Sequence, residues 1–249
     1  MAQFCLRGNV TRKLVFIGLA IALIALIAAI FAGLGHRWQW WSFGSGFVVL
    51  KWAVYGAIGA LVISAFGMFL TRPGSGQSGF VWALLGCLLS VSLISVPAFW
   101  MYRAKQVPRI HDITTDTIAP PQFVAVLLLR QDAPNSTDYG GIDIAIQQQE
   151  AYPDINSLLL ARSPEDIYEQ AASVVNSLGW EIVAAAPDEK RIEATDTTFW
   201  FGFKDDIVVR IRAMDDGSRL DIRSVSREGL SDVGANARRI RSFMKLMQE

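Results

Sequence analysis

The residues best able to do chemistry crowd into the last sixty positions. Arg210 and Arg212 alternate along one apolar run, and Asp221, Arg223 and Arg227 fall on odd positions of the next. In extended chain, alternate side chains share a face, so these groups form a charged floor that Glu193 could join from the preceding run. Such a floor grips an anion, or it is satisfied by cross-strand ion pairs worth about 0.2–1 kcal/mol each. The stretch Ser224 to Asn236 is the sharper candidate. Gly229 and Gly234 allow close approach into a helix start, whose free N–H groups favour anions, and Arg227 or Arg239 would add charge-assisted bonds. The ligand-binding candidates are therefore Arg223, Ser226, Arg227, Asp232, Asn236 and Arg239. A phosphate, a carboxylate or a lipid headgroup suits them. The plainer alternative is that Ser231 caps the helix, Asp232 complements its dipole and Arg227 pairs with a local acid.

Other constellations are thinner. His111 with Asp112 and Asp116 is a sparse ligand set, better explained by a tether packed onto its domain. Asp205-Asp206 could do acid–base work, but a turn or a cross-strand partner suits the pair better. Arg238, Arg239, Arg241 and Lys245 make a basic helix end, which complements the helix dipole or meets anionic headgroups. No GxSxG, nucleotide-binding glycine motif or HExxH occurs. Catalytic residues stay unknown, and the pattern calls for no cofactor and no metal. Cys5 and Cys87 are the only cysteines, which excludes a thiolate zinc site from the C-terminal part.

The elements that must position these groups are legible around them. Ser163, Pro164, Glu165 and Asp166 open a helix whose stripe is Ile167, Ala171, Val174, Val175 and Leu178, stopped by Gly179. Strands are expected over Trp180–Ala184, Arg191–Phe201, Ile207–Ala213 and Arg219–Ser226, with turns at Asp188-Glu189 and Asp215-Asp216-Gly217. Short connections make them an antiparallel meander. A closing helix is expected from about Ser231 to Met247. Phe123–Leu129 reads as a buried strand, Asp132–Gly141 as a loop, and Ile142–Tyr152 stays ambiguous. The fold class expected is a three-span α-helical membrane region followed by an α+β domain: a four- to five-strand antiparallel sheet with helices on one face.

Charge separates the two parts. All 23 acidic residues follow position 111, whereas the first 110 residues hold nine Lys or Arg and no acid. Three uncharged apolar runs, 14–34, 52–70 and 80–102, are each long enough to cross a bilayer as a helix. Ala25, Ala29 and Gly33 in the first, with Gly56, Ala60 and Ser64 in the second, allow close helix packing. Residues 103–121 form a juxtamembrane linker and 122–249 the water-soluble domain. Arg7, Arg12 and Lys13 favour a cytoplasmic N-terminus, so three spans place the C-terminal domain outside the cytoplasm, in the periplasm of a Gram-negative cell. The net-acidic domain argues against nucleic acid as a partner.

The C-terminal residues also resemble a known family. Ile110 to Asp116 with Pro120-Pro121, Tyr152 to Ile155, Gly179-Trp180-Glu181, Arg191 to Thr195, Phe203 to Asp206, and Asp221 to Arg227 running on through Gly229, Ser231-Asp232, Gly234 and Asn236 to Arg239-Ile240 are similar to the domain-of-unknown-function 1499 family, whose members are often membrane-anchored. The resemblance covers roughly residues 107–246 and implies no reaction, substrate or cofactor. The expected function is a multi-pass inner-membrane protein presenting a domain that binds an envelope protein or a lipid-like, anionic ligand. Two alternatives are a hydrolase-like enzyme using Arg223, Arg227, Asp232 and His111, and a structural subunit of a membrane complex.

Overall fold

The computed structural model describes residues 2–249, with side chains from Asn9 onward. The chain forms two compact units. One runs to Tyr102 and takes in Phe199–Gly202; the other holds Arg103–Thr198 and Phe203–Glu249.

The first unit is three helices, α1 (Ala2–Arg37), α2 (Phe43–Leu70) and α3 (Phe80–Ala104). All three are long and apolar enough to cross a membrane. They extend beyond the sequence estimates because helical hydrogen bonding does not stop where apolarity does. Ser42 starts α2 by accepting the Ser45 N–H at 3.4 Å. The small residues sit inside: Ala25, Ala29, Ala60 and Ser64 are buried, while Phe16, Ile24, Trp52, Val62 and Phe66 point outward. An apolar exterior around a small-residue interior is the pattern of helices solvated by lipid.

The second unit is α+β. Its sheet runs β1 (Asp112–Thr114), β6 (Gly217–Ser226), β5 (Lys204–Met214), β4 (Arg191–Thr197), β3 (Glu181–Ala186), and β2 (Leu158–Leu160) also pairs with β6. Every pairing is antiparallel. The expected four-strand meander is thus present and gains two three-residue strands. Both are too short to carry a sequence period.

One sheet face presents Ile192, Ala194, Ile207, Val209, Ile211, Leu220 and Ile222 to α5 (Pro164–Ser177) and α6 (Ala235–Gln248), which contribute Ile167, Val175, Ile240 and Phe243. Ser163 caps α5 by accepting the Asp166 N–H at 3.1 Å, as expected from sequence. The ambiguous stretch is a helix, α4 (Ile142–Ala151). Its buried Gln148 hydrogen-bonds both ways with the backbone of Thr114 in β1, at 2.9 and 2.7 Å.

Three expectations fail. The strand expected over Arg191–Phe201 ends at Thr197. Phe123–Leu129 is not a strand: it is irregular chain leading into a 3-10 helix, Val126–Leu129. Only Phe123 and Val126 are buried, against Val208 and Val225 on the second sheet face. The last helix begins at Ala235 rather than Ser231, because Gly234 takes a left-handed conformation (φ 74°) at its N-cap.

Candidate functional site

The even-numbered positions of β5 and the odd-numbered positions of β6 do share the sheet face away from α5 and α6, and nearly every charge there is paired beneath the segment 112–139. Arg223 is fully buried. Its Nε and Nη2 donate to Asp112 Oδ1 and Oδ2 at 2.9 and 2.7 Å, and its remaining donors reach the Pro121 and Thr137 carbonyls. The guanidinium also lies over the rings of Phe123 and Tyr139 at 5.3 and 5.6 Å. Burial pushes the Tyr139 hydroxyl up to about 12, with Asp112 adding to the rise and Arg223 opposing it. Arg227 grips Asp206 through Nε and Nη2, both at 2.8 Å, and reaches the Leu129 carbonyl at 2.9 Å. Arg130 joins Asp206 at 2.6 Å. Burial alone would raise the Asp206 pKa, but hydrogen bonds from Arg227, Thr195 and Arg130 outweigh it and hold the carboxyl below its usual value.

Glu193 is another buried carboxylate of this face. It accepts the N–H groups of Val124, Ala125 and Val126 at 2.9–3.2 Å. It also pairs with Arg191. These are the orphan donors at the start of the 3-10 helix, so Glu193 acts as a remote cap for that turn.

The other four candidates lie on the opposite face, because Ser226 is one residue from Arg227 in an extended strand. Asn236 Oδ1 accepts from Ser224 Oγ at 2.7 Å and from Arg239 Nη1 at 2.5 Å, and its Nδ2 donates to His111 O and Ser226 Oγ. Arg239 is held by Asp196 and Asp205, both at 2.7 Å from Nη2. Burial would lower the Arg239 pKa, but those two carboxylates reverse the effect and raise it. Asp232 accepts the Gly234 and Asn236 N–H groups at 2.8 and 2.7 Å. It is therefore the acid at the start of α6, and it fills the anion position there itself. Burial raises its pKa against the pull of those two N–H bonds. The six sequence candidates thus divide between two places: Arg223 and Arg227, each held by its own carboxylate, on one face, and Ser226 with Asp232, Asn236 and Arg239 on the other.

A third cluster remains open. Arg210, Arg212 and Arg219 direct Nη2 at Asp116 Oδ2, at 3.2, 3.1 and 2.8 Å. Asp221 accepts from the same three, at 2.9, 2.9 and 3.1 Å, and from Ser157 Oγ at 2.5 Å. Here too burial acts first to raise the Asp221 pKa, and the bonds from Ser157 and Arg210 with the Arg219 charge bring it below the usual value. Three guanidinium groups face two carboxylates, and their side chains are 22%, 42% and 33% exposed. Arg210 Nε is buried and makes no hydrogen bond. Sequence reasoning placed Arg210, Arg212 and Asp221 on the floor but missed Arg219, which period two puts on the same face two residues before Asp221. The sequence sets Asp116 only beside His111 and Asp112, and nothing in its spacing ties it to these arginines, since it reaches the sheet from the linker.

These geometries belong to a recognisable sequence. Residues 112–247 match the family described as a protein of unknown function (DUF1499). The chain belongs to that family. No curated protein matches it. The DUF1499 match begins at Asp112, the partner of Arg223, and ends at Met247 in α6. It therefore contains all six of the candidate residues and the open arginine triad.

Proposed function

We propose that this DUF1499 protein is a multi-pass membrane protein whose α+β domain binds an anionic group, a phosphate or a carboxylate, with Arg210, Arg212 and Arg219. One observation carries the reading: three half-exposed guanidinium groups converge on two carboxylates, leaving one positive charge over. Asp116 Oδ2, at the focus of all three, occupies the position an incoming oxyanion would take. Arginine suits that role because its planar donors match carboxylate and phosphate geometry. Arg7, Arg12 and Lys13, ahead of the apolar stretch of α1, support a cytoplasmic N-terminus. With three spans, that orientation puts the domain on the envelope side of an inner membrane, where an envelope protein's acidic group or a lipid-like anion would be met.

The test is native mass spectrometry of the full chain, gently extracted from its own membrane, beside the double variant Arg212→Gln/Arg219→Gln. The expected result is a discrete anionic added mass on the natural chain that the variant lacks. A bare chain in both samples, or an added mass that the variant retains, sinks the reading.

A further inference from the structure

The 3-10 turn that fails as a strand holds three consecutive leucines outward. Leu127, Leu128 and Leu129 are 44%, 75% and 55% exposed, and Val124 before them is 53% exposed. Exposed apolar runs are usually loose, but this one is clamped at both ends by buried charge. Glu193 binds the N–H groups at its start. Arg227 holds the Leu129 carbonyl, and Arg130 next in sequence is fixed to Asp206 and to the Val225 and Ser226 carbonyls. Val126, pointing inward, packs on Val208 and Val225. A buried ionic frame that presents leucines to the outside is an arrangement for an apolar occupant.

The position of the turn selects that occupant. Arg130 and Arg227 anchor it at the Ser226 end of β6. The chain enters the domain at the same end: the Ser226 N–H donates to the His111 carbonyl at 3.0 Å, and the Asp232 N–H to Ile110 at 3.3 Å. Only seven residues, 105–111, separate the end of α3 from Asp112 at the start of β1. Fully extended they reach about 25 Å. Lys105 and Arg109 on this tether are exposed, and no acid precedes Asp112. Leu230, 69% exposed, lies in the turn that follows β6 at this end.

We infer that the turn Val124–Leu129 is seated in the interfacial layer of the lipid bilayer that α1–α3 cross, so that the domain rests on the membrane by its Ser226 end. The inference rests on the membrane reading of the three helices, but not on the arginine triad. That triad belongs to the other end of β6: Arg219 lies seven residues from Ser226, about 23 Å along a strand.

The test uses the full chain with Cys5→Ser and Cys87→Ser, reconstituted into vesicles of phosphatidylethanolamine and phosphatidylglycerol. A polarity-sensitive fluorophore is attached at Leu128→Cys, at Val62→Cys on the outer face of α2, or at Leu159→Cys. Leu159 is nearly as exposed as Leu128 but pairs with Arg219. Leu128 and Val62 labels are expected to shift to the blue and to lose emission when chain-labelled quencher lipids are added. The Leu159 label is expected to emit as in water. A quenched Val62 label beside a water-like Leu128 label overturns this inference alone. A blue-shifted Leu128 label that lipid quenchers do not touch is covered by protein and overturns it too, as does a Leu159 label quenched equally well. An unquenched Val62 label removes the membrane reading and this inference with it.

Discussion

Arg223 and Asp112 form a two-point ion pair in which the guanidinium is wholly shielded from water and the carboxylate nearly so. Asp112 opens β1 and Arg223 sits in the middle of β6, so the pair stitches the first residue of β1 to the centre of the sheet. Removing one partner leaves a buried charge uncompensated. Asp112→Ala should therefore cost about 3–5 kcal/mol, whereas Asp112→Leu with Arg223→Met should recover most of that loss. Pulse proteolysis in urea of the detergent-extracted chain reads both. Equal destabilisation by the single and double variants would mean the pair contributes through packing alone.

Glu193 predicts a local effect instead. Glu193→Ala removes the acceptor of three backbone N–H groups, and each donor left unmet in a buried site costs about 1–3 kcal/mol. The turn Val124–Leu129 should then open more often while α5 and α6 stay closed. Hydrogen exchange should accelerate at least about tenfold for 124–126 and hardly change in the helix-facing core. Uniform acceleration across the domain would show that Glu193 supports the whole sheet rather than the turn.

What was legible follows from periodicity. Helix α5 showed its cap, its stripe and its stop locally, and all were found where expected. The alternation of β5 and β6 placed Arg210, Arg212, Asp221 and Arg223 on one face. The same rule separates Ser226 from Arg227, so grouping them as one site overrode information the strand already contained. Phe123–Leu129 was misread because a short apolar run fits a buried strand as well as a turn. What decides its conformation is Glu193, 67–69 residues away. Long-range carboxylate caps leave no period. Asp116 was grouped with His111 and Asp112 for the same reason, since its actual partners lie 94 to 103 residues further on.

The pH dependence has a sign that can be worked out. Asp206 and Asp221 titrate below the ordinary carboxylate value in the folded domain. Around and below that value, about 3.9, the unfolded chain binds more protons than the folded one. Stability from these two groups is therefore fully present well above pH 4 and is lost as the pH falls through their folded values. Acid should unfold the domain cooperatively, and Asp206→Asn should flatten the acid limb of a stability–pH curve. A curve unchanged in shape by Asp206→Asn would show that other carboxylates govern the acid transition.

Asp232 should behave in the opposite sense. Burial raises its pKa, so the folded chain holds this proton more firmly than the unfolded one. Its contribution is most favourable at low pH and weakens as the pH rises through the ordinary and then the folded value. The carboxylate also accepts the Gly234 and Asn236 N–H groups at the start of α6. Gly234 bonds Oδ1 and Asn236 bonds Oδ2, so asparagine keeps an acceptor oxygen for one of those donors and sheds the buried charge, while alanine keeps no acceptor. Asp232→Asn should thus be within about 1 kcal/mol of the natural chain at pH 7, and Asp232→Ala should lose about 0.5–2 kcal/mol. Thermal melts of the three proteins at pH 7 and pH 5 decide it. If asparagine is as damaging as alanine, the charge itself holds α6. Asp232 would then be a dipole partner rather than a hydrogen-bonding cap.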